Sequence, residues 1–218
     1  MILETDDLAL GYTESRFPEK LLADFFAGKT FVSLKQTHSA SIVETDSCEK
    51  GAEGDGILVS RSGIVAIIRT ADCVPLFFFV RTPRGEPRAG ILHIGWRGLQ
   101  QGIEKRLLSR LKTEGIAPDE ISFLTGPAIG PECYPVGEEL AAHFRGRSFF
   151  PQVFSDIGGG RYRMDLKEGI RSSLEEDGVP RSWIADAPLC TFCLNDRFPS
   201  YRRDGKTGDR IFNFLYLK

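Results

Sequence analysis

The stretch Ile67–Val80 reads as two apolar strands flanking a polar knot, Arg69-Thr-Ala-Asp-Cys73. Polar groups buried between such strands cost a few kcal/mol unless they find partners, so the knot points to something nearby that needs Asp72 and Cys73. Upstream, Thr30–Leu34 alternates as a strand does and delivers Lys35-Gln-Thr-His38 at its end. Strands are also predicted at Ser41–Glu44 and, after the turn-rich Gly51–Gly56, at Ile57–Val59. Ala89–Ile94 is a further strand, after the polar turn Arg81–Arg88, and it ends in His93-Ile-Gly-Trp-Arg-Gly98. Leu99, Ile103, Leu107, Leu108 and Leu111 then share one face at helical spacing, a helix that stops at Gly115 and Pro118.

Beyond it, Ile121–Leu124 is a strand and Gly126–Pro131 a rigid loop. Helices are predicted over Pro18–Phe26, Gly137–Phe144 and Leu166–Asp177, with an exposed Gly-rich connection at Pro151–Arg163. Short strands are expected around Trp183–Ala185, Ser200–Arg202 and Ile211–Leu217, while the rest of residues 1–30 gives mixed signals. Strands early and a mixed second half, with no repeat or linker, predict one α+β domain over 1–218, with mixed β-sheets flanked by helices.

Composition narrows the class. The 218 residues carry a net charge of -2, and 41% are hydrophobic, an ordinary globular balance without the basic footprint of a nucleic-acid binder. The acidic start Met1–Asp7 lacks a signal-peptide pattern, and no apolar run approaches bilayer length. Five cysteines spread from Cys48 to Cys193 argue against a disulfide framework and for reduced thiols in the cytoplasm.

Two imidazoles and a thiolate, His38, Cys73 and His93, match a catalytic zinc set, which uses three protein ligands and keeps one position open. Their separations of 35 and 20 residues carry no short-range signature. A core cysteine with two hydrogen-bonded histidines, or a Cys73 nucleophile with a histidine base, fits the same residues. Arg97, read as standing just before a helix, suits an anion or a surface stack on Trp96. Asp55 and Asp72 are candidate proton carriers or partners that orient a histidine ligand, with turn capping and salt bridging as the alternatives. Cys190-Thr-Phe-Cys193 lacks a second Cys-x-x-Cys, and even with Cys133 the set is one ligand short of a structural zinc, so these thiols read as structural. His143 reads as a packing or surface histidine.

Lys35-Gln-Thr-His38, Gly54-Asp-Gly56, Thr70-Ala-Asp-Cys-Val-Pro75, His93–Gly98, Gly126–Pro131, Cys190–Cys193 and Ser200–Gly208 occur in an order that resembles the laccase-domain, or multicopper polyphenol oxidoreductase, family. This family is also called purine nucleoside phosphorylase-like and, in some bacteria, peptidoglycan editing factor. The resemblance covers roughly residues 30–218. It implies a mixed α/β fold and a metal site, usually zinc, at His38, Cys73 and His93. It further implies phosphorolysis of adenosine, inosine and methylthioadenosine, and deamination of adenosine. Ser39 stands where many members have Gly and Ile94 where Ala is usual, and both are expected to reshape the pocket.

The older laccase label implies copper-dependent oxidation of phenols, which needs a histidine-rich copper cluster. The chain has three histidines, two already assigned, so zinc is expected ahead of copper. Phosphate would fall to Arg97, or to Arg202 or Arg203. The expected enzyme is cytoplasmic, a monomer or weak homodimer that takes a purine nucleoside and phosphate, with no nucleic acid and no membrane as partner. Its rivals are an editing hydrolase of a peptidoglycan precursor at the same metal site, a metal-free Cys–His hydrolase, a binding module with a structural metal, and a copper-dependent polyphenol oxidase.

Overall fold

The structure, a computed structural model, describes residues 2–5, 7–14, 19–45, 51–80 and 88–218. Strands β1 (Ile2–Glu4) and β2 (Leu8–Tyr12) precede helix α1 (Glu19–Phe25). Next come β3 (Thr30–Ser33), β4 (Ile42–Glu44), β5 (Gly56–Val59), β6 (Ile64–Thr70), β7 (Val74–Val80) and β8 (Ala89–Ile94). Helices α2 (Trp96–Gln101) and α3 (Ile103–Thr113) lead to β9 (Ile121–Thr125), β10 (Pro135–Gly137), α4 (Glu138–Ala141) and α5 (Phe150–Val153). The chain closes with β11 (Phe154–Gly158), β12 (Arg161–Met164), α6 (Leu166–Glu176), β13 (Ile184–Asp186) and β14 (Ile211–Leu217).

Two mixed sheets form the frame, ordered β1-β2-β14-β6-β3 and β13-β9-β7-β8-β5-β4, with β10-β12-β11 beside them. Side chains alternate across each strand, and β6 shows the consequence. Ile64, Ala66 and Ile68 meet Ile57, Phe77, Ile91 and Leu215 between the two large sheets. Val65 and Ile67 point the other way, to Leu22 of α1, to Phe26 just after it and to Phe214. A strand buried on both faces reads as an unbroken apolar run, which is why this segment stands out in the sequence. The outer face of the six-stranded sheet, with Leu76, Phe78, Leu92 and Ile94, carries Ile103, Leu107 and Leu111 of α3 and Ile170 and Leu174 of α6. Each fully buried side chain of this size contributes about 1.5–3 kcal/mol. The α+β class with mixed sheets and flanking helices is therefore as expected.

Four expectations change. The helix through Leu99–Leu111 is two helices, because Gly102 adopts φ 71 and both ends α2 and starts α3. Arg97 accordingly lies inside α2 rather than before a helix. Pro151–Arg163 is not a connection but α5 and the β11–β12 hairpin, whose turn is made by Gly158, Gly159 and Gly160 at φ 81, 63 and 68. Ser200–Arg202 forms no strand, because the Ser200 hydroxyl and the Arg202 N–H are drawn to the Asp72 carboxylate. The N-terminal residues, read as mixed, supply β1 and β2 to the five-stranded sheet. The turn Arg81–Arg88, apart from Arg88, and Cys48 lie outside the described residues.

Candidate metal centre

The polar knot is the place where the chain passes from one large sheet to the other. β6 belongs to the five-stranded sheet and β7 to the six-stranded one, and the three residues between them, Ala71, Asp72 and Cys73, make the crossing. Asp72 turns it at φ 90, a conformation that costs a non-glycine residue of order 1–3 kcal/mol and persists only where neighbours hold it. Three do. The Thr191 hydroxyl donates to Asp72 Oδ1 at 2.7 Å, the Ser200 hydroxyl to Oδ2 at 3.1 Å, and the Arg202 N–H to Oδ2 at 2.7 Å.

His38 comes from the loop after β3, and its backbone is also left-handed, at φ 58. Gln36 fixes this loop to the end of β6, donating to the Arg69 carbonyl and accepting from its N–H, both at 2.8 Å. Asp55, just before β5 and fully buried, draws the next turn around itself. The backbone N–H groups of Thr37, His38 and Ser39 donate to its carboxylate at 3.2, 3.0 and 2.6 Å, and the Ser39 hydroxyl adds a bond of 2.7 Å. Asp55 Oδ1 also faces His93 Nδ1 at 2.8 Å. One carboxylate thus sets the loop that carries one imidazole and the ring orientation of the other.

The three expected ligands converge. Single donor atoms of His38, Cys73 and His93 lie within 4.8 Å of one another, with Cys73 Sγ 3.8 Å from His38 Nε2 and the imidazole centroids 4.7 Å apart. With His93 Nδ1 turned to Asp55, its Nε2 is left for the centre. His93 is buried, Cys73 partly so, and His38 exposed, so the group opens to solvent on the His38 side.

The electrostatics are those of a charged pair. Burial pushes the Cys73 thiol up, but the charge on His93 and hydrogen bonds from both imidazoles outweigh it and bring it down to about 6. Burial likewise disfavours a charged His93, yet the Cys73 thiolate and Asp55 raise it to about 9. Burial would also raise the Asp55 carboxyl, but bonds from His93 and Ser39 hold it well below the usual carboxylate range. A thiolate, two imidazoles and a carboxylate fixing one ring fit a metal ion: the donors are of the right type and number, and the carboxylate–imidazole contact is the usual partner of a metal-bound histidine. This group can hold a metal ion.

Gly95 completes the fit. A Cβ there would lie 2.9 Å from Cys73 Sγ and 3.2 Å from His38 Cδ2, so the β8–α2 turn approaches the centre as closely as it does only without a side chain. Sequence reading passed over Gly95 and Gln36, although both lie inside quoted motifs. It also passed over Tyr134, whose hydroxyl is pushed up by burial and by the Cys73 and Asp72 charges, against the pull of Arg202 and Arg97.

The remaining candidates divide. Arg97 is exposed and lies over the Trp96 ring at 4.5 Å, the stack that was its alternative reading. Arg202 caps the Tyr134 ring at 5.0 Å and donates to the Pro135 carbonyl at 2.7 Å. Arg203 is committed elsewhere, to the carbonyls of Thr191, Phe192 and Phe198 and to Asp204. His143 stacks on Trp96 with centroids 5.7 Å apart, a surface packing role as expected. Ile94 is fully buried on the helix side of β8, so it does not shape the pocket. Ser39 does bear on the centre, through its hydroxyl bond to Asp55.

Two sheets crossed by a strained turn, with a histidine–cysteine–histidine group at the crossing, define an α+β protein with a candidate mononuclear metal centre. The chain belongs to the multi-copper polyphenol oxidoreductase laccase family, whose model matches residues 18–218. It is 32% identical over 206 residues to the purine nucleoside phosphorylase YlmD of Geobacillus stearothermophilus, covering 87% of this chain and 73% of that one. It is also 32% identical over 202 residues to the adenosine deaminase RL5 of an unknown prokaryotic organism, covering 86% and 75%. Among solved structures, the hypothetical protein YfiH of Bacillus licheniformis superposes with a TM-score of 0.87 at 27% identity, over 97% of this chain and 93% of that one. The names of these relatives support an enzyme acting on purine nucleosides. Among the described residues no helix is long and apolar enough to cross a membrane.

Proposed function

We propose that this chain is a cytoplasmic zinc enzyme that cleaves adenosine, inosine and methylthioadenosine with phosphate and deaminates adenosine at the same centre. The observation that carries the reading is the convergence of His38, Cys73 and His93 with Asp55 orienting His93. These three residues would hold the zinc, and two nitrogens and a sulfur suit zinc with one position open. Such an ion supplies Lewis acidity beside the bound substrate.

The protein's own groups do the rest. Asp55 keeps the proton of His93 on Nδ1, so that Nε2 faces the centre. Asp72 acts by position, since both its oxygens are engaged. It holds the crossing that presents Cys73 and fixes the start of the Arg202 segment. Arg97 and Arg202, which both pull on the Tyr134 hydroxyl, supply positive charge near the centre for phosphate. In phosphorolysis the glycosidic C–N bond breaks as a phosphate oxygen bonds to the ribose carbon, giving free base and ribose 1-phosphate. In deamination water replaces the 6-amino group and ammonia leaves.

A metal-free hydrolase with Cys73 as nucleophile is the second reading, favoured by the low-lying thiol and the imidazoles beside it. Product analysis from adenosine, with and without phosphate, tests the proposal. Inosine in both reactions and adenine only with phosphate is the expected result. Turnover that survives complete removal of metal would favour the cysteine hydrolase. A metal-loaded protein that turns over no nucleoside would move the substrate to the cell-wall precursor.

A further inference from the structure

The thiols that read as structural form a second cluster. Cys133 and the Cys190–Cys193 pair are 57 residues apart in the chain, yet one sulfur from each of the three lies within 4.8 Å of the other two. Cys133 Sγ and Cys193 Sγ are 3.3 Å apart. The two loops are sewn together by a parallel bridge between Ala128 and Cys190. In it the Thr191 N–H donates to the Ala128 carbonyl at 3.0 Å, and the Ala128 N–H to the Leu189 carbonyl at 3.2 Å.

The surroundings of Cys190 are built for a sulfur anion. The Gly130 N–H donates to its Sγ at 3.3 Å, and the N–H groups of Phe192 and Cys193 act on the same sulfur. A Cys-x-x-Cys loop whose own amides turn back on its first sulfur stabilises a thiolate and orients it as a ligand. A Cβ on Gly130 would stand 3.4 Å from that sulfur, so the Gly130 backbone lies directly against it. Cys193 is exposed and the other two partly buried, which leaves one side of the cluster open to solvent.

We propose that Cys133, Cys190 and Cys193 form a second metal site, a three-thiolate pocket for a thiophilic closed-shell cation such as zinc, with its fourth position on the Cys193 side. Thiolate donors select soft or borderline cations of this kind. Three sulfurs converging on one point, one of them in an amide cradle, are more than a single disulfide would use. Binding forms three sulfur–metal bonds, and any protons the thiols carry pass to solvent; no electron is transferred. The site staples the Cys190–Cys193 loop to the Gly126–Cys133 loop. Through it the metal steadies Thr191, whose hydroxyl holds Asp72 at 2.7 Å, the residue next to Cys73. The inference stands apart from the nucleoside reading and does not need it.

The test is zinc titration of the reduced, metal-stripped full chain, read by native mass spectrometry. It is paired with zinc protection against alkylation of individual cysteines, read by peptide mapping. About two equivalents are expected for the wild type and about one each for Cys193→Ser and Cys73→Ser. In the Cys73→Ser protein zinc should still slow alkylation of Cys133, Cys190 and Cys193 at least about tenfold, and the wild-type mapping gives the answer should a variant fail to fold. A Cys73→Ser protein that binds no zinc and shows no protection would overturn the site. So would a reduced, metal-stripped wild-type chain in which zinc leaves Cys133, Cys190 and Cys193 as reactive to alkylation as before. If the wild type binds only the equivalent that Cys73→Ser retains, this site stands and the His38–Cys73–His93 assignment falls.

Discussion

Asp55 is the residue on which the centre turns, because a single carboxylate takes three backbone amides, the Thr37 and Ser39 hydroxyls and an imidazole. Asp55→Asn keeps the shape but must aim an NH₂ group at N–H donors or at His93. Losing such a partner of a metal-bound histidine weakens metal binding by about 10–100-fold, and chelator competition should show a loss of that size. The same substitution leaves buried donors unpaired, which lowers stability by about 1–3 kcal/mol, read by denaturant unfolding. Ser39→Gly removes one donor among several, so its effect should stay near 1 kcal/mol, with metal affinity within a few-fold of wild type. Gly95→Ala is a steric test. Its Cβ, 2.9 Å from Cys73 Sγ, must displace the sulfur or the β8–α2 turn, and zinc affinity should fall at least about tenfold at a stability cost of about 1–3 kcal/mol.

At the scale of elements, the packing of α3 on α6 holds a carboxyl that no apolar pattern announces. Glu104 is fully buried; its Oε1 accepts from the Ser173 hydroxyl at 2.6 Å, while Oε2 meets no partner among the described residues. Burial pushes its carboxyl up from 4.5 to about 7, against the smaller pull of Ser173. The folded state therefore holds this proton more tightly than the unfolded chain. The contribution to stability is fully present below about pH 4.5 and is lost as pH rises through about 7, a decline of roughly 3 kcal/mol. Glu104→Gln should flatten that decline, so the variant's gain in melting temperature over wild type should be larger at pH 8 than at pH 5. An equal difference at both pH values would mean that Glu104 is ionised in the fold. The elements themselves divide by what they bury. β6, β7 and β8 are buried on both faces and read plainly from the sequence. β1, an exposed edge strand of three residues, and the β11–β12 hairpin, whose glycines read as loop, did not.

For the whole molecule, the two sheets matter because their crossing point brings together residues that lie 35 and 20 positions apart in the chain. The identities of His38, Cys73 and His93 were legible from their motifs, but their meeting was not, since nothing local links a loop after β3, a sheet crossing and the end of β8. For the two aspartates the sequence offered histidine orientation, proton transfer, turn capping and salt bridging without choosing between them. Asp72 adjoins Cys73 in the chain but Asp55 adjoins no candidate ligand, and only the fold shows that Asp55 faces His93 while Asp72 faces Thr191, Ser200 and Arg202. Cys133 was named with Cys190 and Cys193 as a set one ligand short, and that the three sulfurs converge shows only in the fold, where the Ala128–Cys190 bridge joins the two loops.

The most direct measurement is adenosine turnover by wild type and Cys73→Ser after complete chelation and after zinc is restored. Wild-type turnover is predicted to vanish on chelation and to return with zinc, while Cys73→Ser stays inactive throughout with its fold intact by circular dichroism. Wild-type turnover that persists without metal, or a Cys73→Ser protein that zinc restores to full activity, would contradict a metal centre at His38, Cys73 and His93.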